Sequence, residues 1–218
     1  MSRQLRPLLI GVGVALTAVA VGAAIARLRS PQVELEELEP WDEEAAYEEE
    51  ARYAALEEDI PNLHRVNDTL YRGGMPTKEG IQQLADMGIK TVINLHYSPW
   101  ADRRERQWVE AAGMEYVYLP LRWFGQPPTR KVRRFFELVR EAEATPVYIH
   151  CLEGKDRTGA MVAAYRISHD GWSAQQAYVE MKRYGFHTFL FVLRGFVFEY
   201  AAIADLTRQA IAQKQILT

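Results

Sequence analysis

The sequence predicts an α/β domain preceded by a single N-terminal transmembrane helix. From about residue 60, short apolar runs alternate with stretches of helical periodicity, which is the pattern of an α/β fold. Before that point, residues 8–26 form nineteen consecutive residues without a charge. At about 1.5 Å per residue, a helix of this length reaches roughly 28 Å and can cross the hydrocarbon core of a bilayer.

Residues 1–30 are therefore predicted to be a membrane anchor, and the protein to be a single-pass membrane protein. A cleaved signal peptide is the alternative, because residues 24–26 read Ala-Ile-Ala, a small-residue cleavage pattern. Cleavage would give a secreted or periplasmic protein. The side of the membrane stays open, because two arginines precede the apolar run and two follow it.

The next segment, residues 31–59, is predicted to be an acidic linker. Its stretch 34–59 carries thirteen acids against one base and few apolar residues that could be buried. Residues 60–218 carry 21 bases and 16 acids. This mildly basic balance suits an anionic substrate, but it is too small to identify one.

Within residues 60–218, the apolar runs and the capping residues predict the elements in order. The predicted strands are Thr69–Arg72, Lys90–Leu95, Glu115–Leu119 and Pro146–His150. Helices are predicted to begin at Thr77, Ser98, Thr129 and Ser173, the last with a capping box to Gln176. Residues 188–204 are predicted to form a largely buried closing helix, because two charges interrupt their apolar run.

The chemistry is concentrated in residues 146–159, which read PVYIHCLEGKDRTG. An apolar strand leads into a tight, glycine-containing loop, and a helix is predicted to begin near Arg157. Such a loop points several backbone N–H groups inward and forms a cradle for phosphate. A nucleotide-binding P-loop is excluded because Lys155 is followed by Asp156 rather than Ser or Thr. One cysteine and scattered histidines exclude a zinc site.

Cys151, the only cysteine, is the predicted nucleophile. The loop amides, the helix dipole and a nearby guanidinium would stabilise its thiolate. Arg157 is predicted to hold two phosphate oxygens with its planar fork. Thr158 could donate its hydroxyl to the cysteine sulfur, and His150 is predicted to orient the loop through backbone contacts.

The stretch HCLEGKDRTG resembles the signature of the protein tyrosine phosphatase superfamily, and residues 64–95 and 171–187 are similar to its compact, dual-specificity-like members. The resemblance implies a central, mostly parallel sheet flanked by helices. It also implies a phosphocysteine intermediate, no metal, no cofactor and no nucleic-acid partner. The expected substrate-binding residues are those of the loop: Leu152, Glu153, Gly154, Lys155, Asp156 and Arg157.

The general acid of the family, an aspartate on a separate loop, has no counterpart in residues 120–131. Asp156 is the predicted candidate, and a structural role for its carboxylate as a loop acceptor is an equal alternative. Asp102 and Glu153 are weaker candidates. His187 is predicted to be structural.

The sequence thus predicts a phosphate monoester hydrolase that acts on phosphotyrosine or phosphoserine proteins, or on phosphoinositide or inositol phosphate substrates. Lys155 is the reason for the second substrate class. A catalytically weak phospho-binding module tethered to a membrane is the alternative, since the acid is missing. A membrane scaffold and a sulfurtransferase are further, weaker alternatives.

Overall fold

The computed structural model describes residue 48, residues 51–141 and residues 145–216. The predicted anchor or signal peptide (residues 1–30) and most of the acidic linker lie outside these residues. The last part of the linker, residues 51–59, packs against the domain. Tyr53 is buried there, and the Asp59 carboxylate accepts hydrogen bonds from the side chains of Thr77 and Gln83.

A five-stranded sheet forms the centre of the domain, in the order β1-β2-β5-β3-β4. The strands are β1 (His64–Arg65), β2 (Leu70–Gly73), β3 (Thr91–Asn94), β4 (Glu115–Tyr118) and β5 (Val147–His150). β1 is antiparallel to β2, and the other neighbours are parallel. The four predicted strands are confirmed, whereas β1 is too short to show a period of two in the sequence.

Helices cover the sheet: α1 (Lys78–Asp86), α2 (Pro99–Ala111), α3 (Thr129–Glu141), α4 (Asp156–His169), α5 (Ala174–Arg183) and α6 (Phe191–Ile216). The predicted caps at Thr77 and Ser173 are confirmed, because Thr77 accepts from the backbone of Gly80 and Ser173 forms its capping box with Gln176. α6 begins later than predicted and extends well beyond residue 204.

Both faces of the sheet are buried. Val147 and Ile149 of β5 lie in a cluster with α3, α4 and α6, whereas Tyr148 between them lies in a cluster with α1 and α2. Successive side chains of a strand point to opposite faces, so a central parallel strand covered on both sides is apolar throughout. All four side chains of β5 are accordingly buried.

The membrane part of the predicted fold class and the predicted single-pass location are corrected. Among the described residues, no helix combines the length and the apolar character that a membrane crossing requires. The longest, α6, carries charged residues along its length and packs against α4 and α5. The structure supports a mixed α/β domain with a central sheet and flanking helices. The predicted span itself, residues 8–26, lies outside the described residues.

Candidate active site

The carboxyl ends of β3 and β5 meet at one edge of the sheet, where Asn94 pairs in register with His150. A loop, residues 151–155, follows β5 and leads directly into α4. Cys151 is 2% exposed and Arg157 is 9% exposed, and both line one cavity of about 580 Å³ at this edge. The structure therefore brings these two predicted site residues together.

The carbonyl groups of the loop are held from outside. The Arg72 guanidinium donates to the Gly154 carbonyl (2.7 Å), and the Met75 N–H donates to the Leu152 carbonyl (2.9 Å). In a trans peptide the C=O and N–H groups point in opposite directions. The N–H group that shares a peptide with each of these two carbonyls therefore faces into the loop. Gly154 has φ +74°, and a Cβ there would lie 2.4 Å from the carbonyl carbon of Gly73, so this position requires glycine.

Arg72 is a site residue that the sequence analysis missed. Its side chain is 1% exposed, lies beneath the loop and stacks over the Tyr184 ring at 4.3 Å. Burial lowers the pKa of its guanidinium below the usual value, and the nearby Glu180 carboxylate opposes this shift. The sequence pattern of the strand could have indicated that Arg72 is buried, because it lies on the same inward face of β2 as Leu70.

His150 connects the loop to a second missed residue, Glu105. His150 is fully buried, with Nδ1 3.0 Å from the Cys151 carbonyl oxygen and Nε2 2.7 Å from Glu105 Oε1. Glu105 Oε2 accepts from Asn94 Nδ2 (2.5 Å) and from the Tyr116 hydroxyl (3.2 Å). Each imidazole nitrogen thus lies close to an oxygen atom, one of the Cys151 backbone and one of the Glu105 carboxylate. Burial, followed by Glu105, raises the pKa of Tyr116, which keeps its hydroxyl a donor.

Replacing Glu105 with alanine is expected to lower the free energy of unfolding by about 3–5 kcal/mol, because it leaves the buried side chains of Asn94, Tyr116 and His150 without the carboxylate that they contact. Glu110→Ala is the matched control. Glu110 lies on the exposed face of the same helix, and its change is expected to stay within about 0.5 kcal/mol. Urea denaturation of both variants measures the difference. Equal, small losses would show that the buried carboxylate does not support β3 and β5.

Asp156 and Thr158 lie in the first turn of α4 with different surroundings. Asp156 accepts a hydrogen bond from the backbone N–H of His187 (2.9 Å), and both of its oxygens contact His187 Nδ1 (3.0 and 3.2 Å). Thr158 is fully buried, and its hydroxyl has no hydrogen-bond partner within the described part of the chain. Asp102 lies on α2 near Arg106 and does not line the cavity.

The mouth of the cavity is aromatic and apolar. Trp123 and Phe124, with ring centroids 4.9 Å apart, lie there with Tyr97 and Leu152, and all four side chains are exposed. Lys155 does not line the cavity, and its ammonium pairs with Glu153 at 3.0 Å. The described residues contain no group of three or more His, Cys, Asp or Glu side chains placed to hold a metal ion.

Known proteins share this architecture. A family model described as "DSP-PTPase phosphatase fused to NAD+ Kinase" matches residues 48–191. The dual specificity protein phosphatase TpbA of Pseudomonas aeruginosa (strain UCBPP-PA14) is 32% identical over 125 residues, which cover 57% of this chain and 55% of that protein. The inositol diphosphatase DSP2 of Oryza sativa subsp. japonica is 27% identical over 114 residues, which cover 48% of this chain and 53% of that protein.

Solved structures agree with these matches. The crystal structure of P. aeruginosa TpbA superposes with a TM-score of 0.54 at 26% identity, covering 66% of this chain and 91% of that chain. The crystal structure of PTPMT1 gives a TM-score of 0.53 at 26% identity, covering 66% of this chain and 98% of that chain. The chain spans about half the length of the curated relatives that it matches. The resemblance read from the signature loop is confirmed.

Proposed function

The chain belongs to the family of DSP-PTPase domains, compact dual-specificity-like members of the protein tyrosine phosphatase superfamily, and on this premise we propose that it hydrolyses phosphate monoesters through a phosphocysteine on Cys151. One observation carries the proposal. The only thiol of the chain and a guanidinium line the same cavity at the start of α4, beneath inward-facing loop amides.

In this proposal each residue of the loop has a separate role. Cys151 Sγ attacks phosphorus, and Arg157 holds two phosphate oxygens and stabilises the charge of the transferring group. The hydroxyl of Thr158, which is buried and has no hydrogen-bond partner in the described ranges, donates to the sulfur when the phosphocysteine is hydrolysed. His150 fixes the Cys151 carbonyl, and residues 152–155 supply the amides that surround the phosphate.

Asp156 fits a positioning role better than the role of general acid. Its carboxylate is engaged by the backbone and the ring of His187, so it fastens the start of α4 to the segment after α5. Both oxygens lie within hydrogen-bond distance of His187 Nδ1, so these contacts hold the carboxyl group toward His187 although Asp156 also lines the cavity. We therefore assign Asp156 to loop support.

The cavity mouth favours substrates with an aromatic or apolar group beside the phosphate. Trp123, Phe124 and Leu152 surround the entrance, and aromatic side chains stack on aromatic rings. Lys155, which suggested polyanionic substrates, is neutralised by Glu153. A variant of P. aeruginosa TpbA was crystallised in complex with pTyr. We propose phosphotyrosine proteins as the substrate class, with inositol phosphates second because exposed Arg122 supplies an additional cation at the cavity.

The test is phosphate release by the purified full-length chain from a phosphotyrosine peptide, a phosphoserine peptide and an inositol polyphosphate. Trp123→Ala is expected to raise KM for the phosphotyrosine peptide roughly 3- to 10-fold with little change in kcat, because it removes ring stacking of about 0.5–1.5 kcal/mol. Trp100→Ala, an equally large change at an exposed site outside the cavity, is the matched control.

A higher kcat/KM for the inositol polyphosphate, with no effect of Trp123→Ala on the peptide, would favour the second substrate class. Phosphate binding without release from any substrate would contradict the proposed hydrolysis, and the phospho-binding module would replace it.

A further inference from the structure

Among the described residues that line the cavity, the two carboxylic acids, Asp156 and Glu153, are both engaged by other side chains. The connection between β4 and α3 contains no Asp or Glu from residue 120 to residue 128. Of the acids that line the cavity, Asp156 is engaged by His187. A hydrogen bond from Lys155 lowers the pKa of the other, Glu153, so its carboxyl stays ionised and has no proton to give. Proton transfer to a leaving oxygen therefore needs another group.

His96 occupies a suitable place. It lies two residues after the end of β3, at the sheet edge where β5 leads into Cys151. The pairing of Asn94 with His150 is extended by one more hydrogen bond, in which the Leu95 N–H donates to the His150 carbonyl (2.8 Å). The backbone N–H of His96 donates to the Asn94 side chain (2.6 Å), which fixes the start of this segment. His96 lines the same cavity as Cys151.

One nitrogen of the His96 imidazole is left over by the fold. Nδ1 is buried and has no hydrogen-bond partner among the described residues, which is costly for a group that only supports the fold. His150 and His187, by contrast, both have polar partners on Nδ1. A partly buried imidazole with an unpartnered nitrogen at the wall of a reaction cavity is the arrangement of a proton-transfer group.

We propose that His96 is the catalytic acid and base of this site, an inference that rests on the proposed phosphatase activity. In the first step the Cys151 Sγ–P bond forms and the P–O bond to the leaving group breaks, while protonated His96 gives its proton to that oxygen. In the second step, neutral His96 takes a proton from water as the water oxygen bonds to phosphorus and the Sγ–P bond breaks. Inorganic phosphate, the thiolate and protonated His96 result.

Electrostatics fit both halves of this cycle. Burial, followed by Arg157 and His150, lowers the pKa of His96 below its usual value. Neutral imidazole, the form that accepts a proton from water, is thus favoured in the second step. Bound phosphate ester brings negative charge against Arg157, which reduces that repulsion and favours the protonated form needed in the first step.

The experiment compares kcat/KM of the full-length chain and His96→Asn on phenyl phosphate and on 4-nitrophenyl phosphate, whose leaving group departs without a proton. The loss is expected to be about 10²- to 10³-fold on phenyl phosphate and less than about fivefold on 4-nitrophenyl phosphate. His169→Asn, at an exposed histidine outside the cavity, is the matched control, and Asp156→Asn tests the rival acid.

The outcomes separate the two hypotheses. A wild-type chain that hydrolyses neither ester contradicts the proposed phosphatase activity itself. Wild-type turnover with equal losses of His96→Asn on both esters, or with the leaving-group effect in Asp156→Asn alone, overturns the assignment of His96 only. The affinity for inorganic phosphate, measured by calorimetry, is expected to be unchanged in His96→Asn. A parallel loss of phosphate affinity would make His96 a structural residue and overturn the assignment.

Discussion

Replacing Cys151 with serine is expected to lower kcat by about 10⁴- to 10⁶-fold, the range that accompanies loss of a covalent nucleophile. The serine hydroxyl keeps the size of the side chain but cannot form the thiolate that the loop is built to stabilise. Arg157 and the loop amides stay in place, so the variant is expected to bind inorganic phosphate as the wild type does. Phosphate release measures the first effect and calorimetry the second.

The single cysteine allows this prediction to be tested by chemical labelling. Because the chain holds no other thiol, iodoacetamide can alkylate only Cys151, and inorganic phosphate in the cavity is expected to slow that reaction. Cys151→Ser should bind no label, and the stoichiometry of labelling should match the loss of turnover. If Cys151→Ser kept phosphatase activity within about tenfold of wild type, the nucleophile would lie elsewhere and the phosphocysteine proposal would be wrong.

The parts of the site that the sequence revealed are local in the chain. The strand, the glycine loop and the start of α4 follow one another over residues 146–159, so spacing alone places Cys151 beside Arg157. The four longer strands could also be predicted from the sequence, because their apolar runs are short and are bounded by turn residues. Thr77 and Ser173 marked helix starts through side-chain caps that act within three residues.

The parts that the sequence did not reveal depend on contacts between distant segments. Arg72 reaches Gly154 across 82 positions, and Glu105 reaches His150 only because β3 and β5 pair. Nothing in the sequence around His96 indicates a role, because only the folded sheet brings its segment to the edge where Cys151 lies. In each case the residue could be read from the sequence, but its contacts could not. These contacts depend on the order of the strands in the sheet, which no local sequence pattern encodes.

The membrane prediction is corrected by the finding that no helix among the described residues is long and apolar enough to cross a bilayer. Hydropathy reports only that residues 8–26 could cross a bilayer, and it says nothing of the domain that follows. The described chain builds its core from an α/β sheet, and α6, its longest helix, is interrupted by charges and lies against α4 and α5.

Replacing Arg157 with lysine is expected to lower kcat/KM by about 10³- to 10⁵-fold, the effect of removing an arginine that stabilises a transferring phosphoryl group. Lysine keeps the charge but not the planar fork that can hold two equatorial oxygens at once. The geometry makes this substitution informative, because Arg157 is 9% exposed and its Nε is buried without a hydrogen-bond partner among the described residues. Arg157 also lines the same cavity as Cys151.

Steady-state kinetics on a phosphotyrosine peptide measure the effect, with Arg130→Lys as the matched control. Arg130 is exposed on α3 and does not line the cavity, so the same chemical change there is expected to leave kcat/KM within about twofold of wild type. If Arg157→Lys retained activity within about tenfold, a point charge would suffice and the bidentate clamp would be wrong. A loss confined to KM would indicate ground-state binding, whereas an equal fall in kcat and kcat/KM would place the Arg157 contact in the transition state, as the proposed mechanism requires.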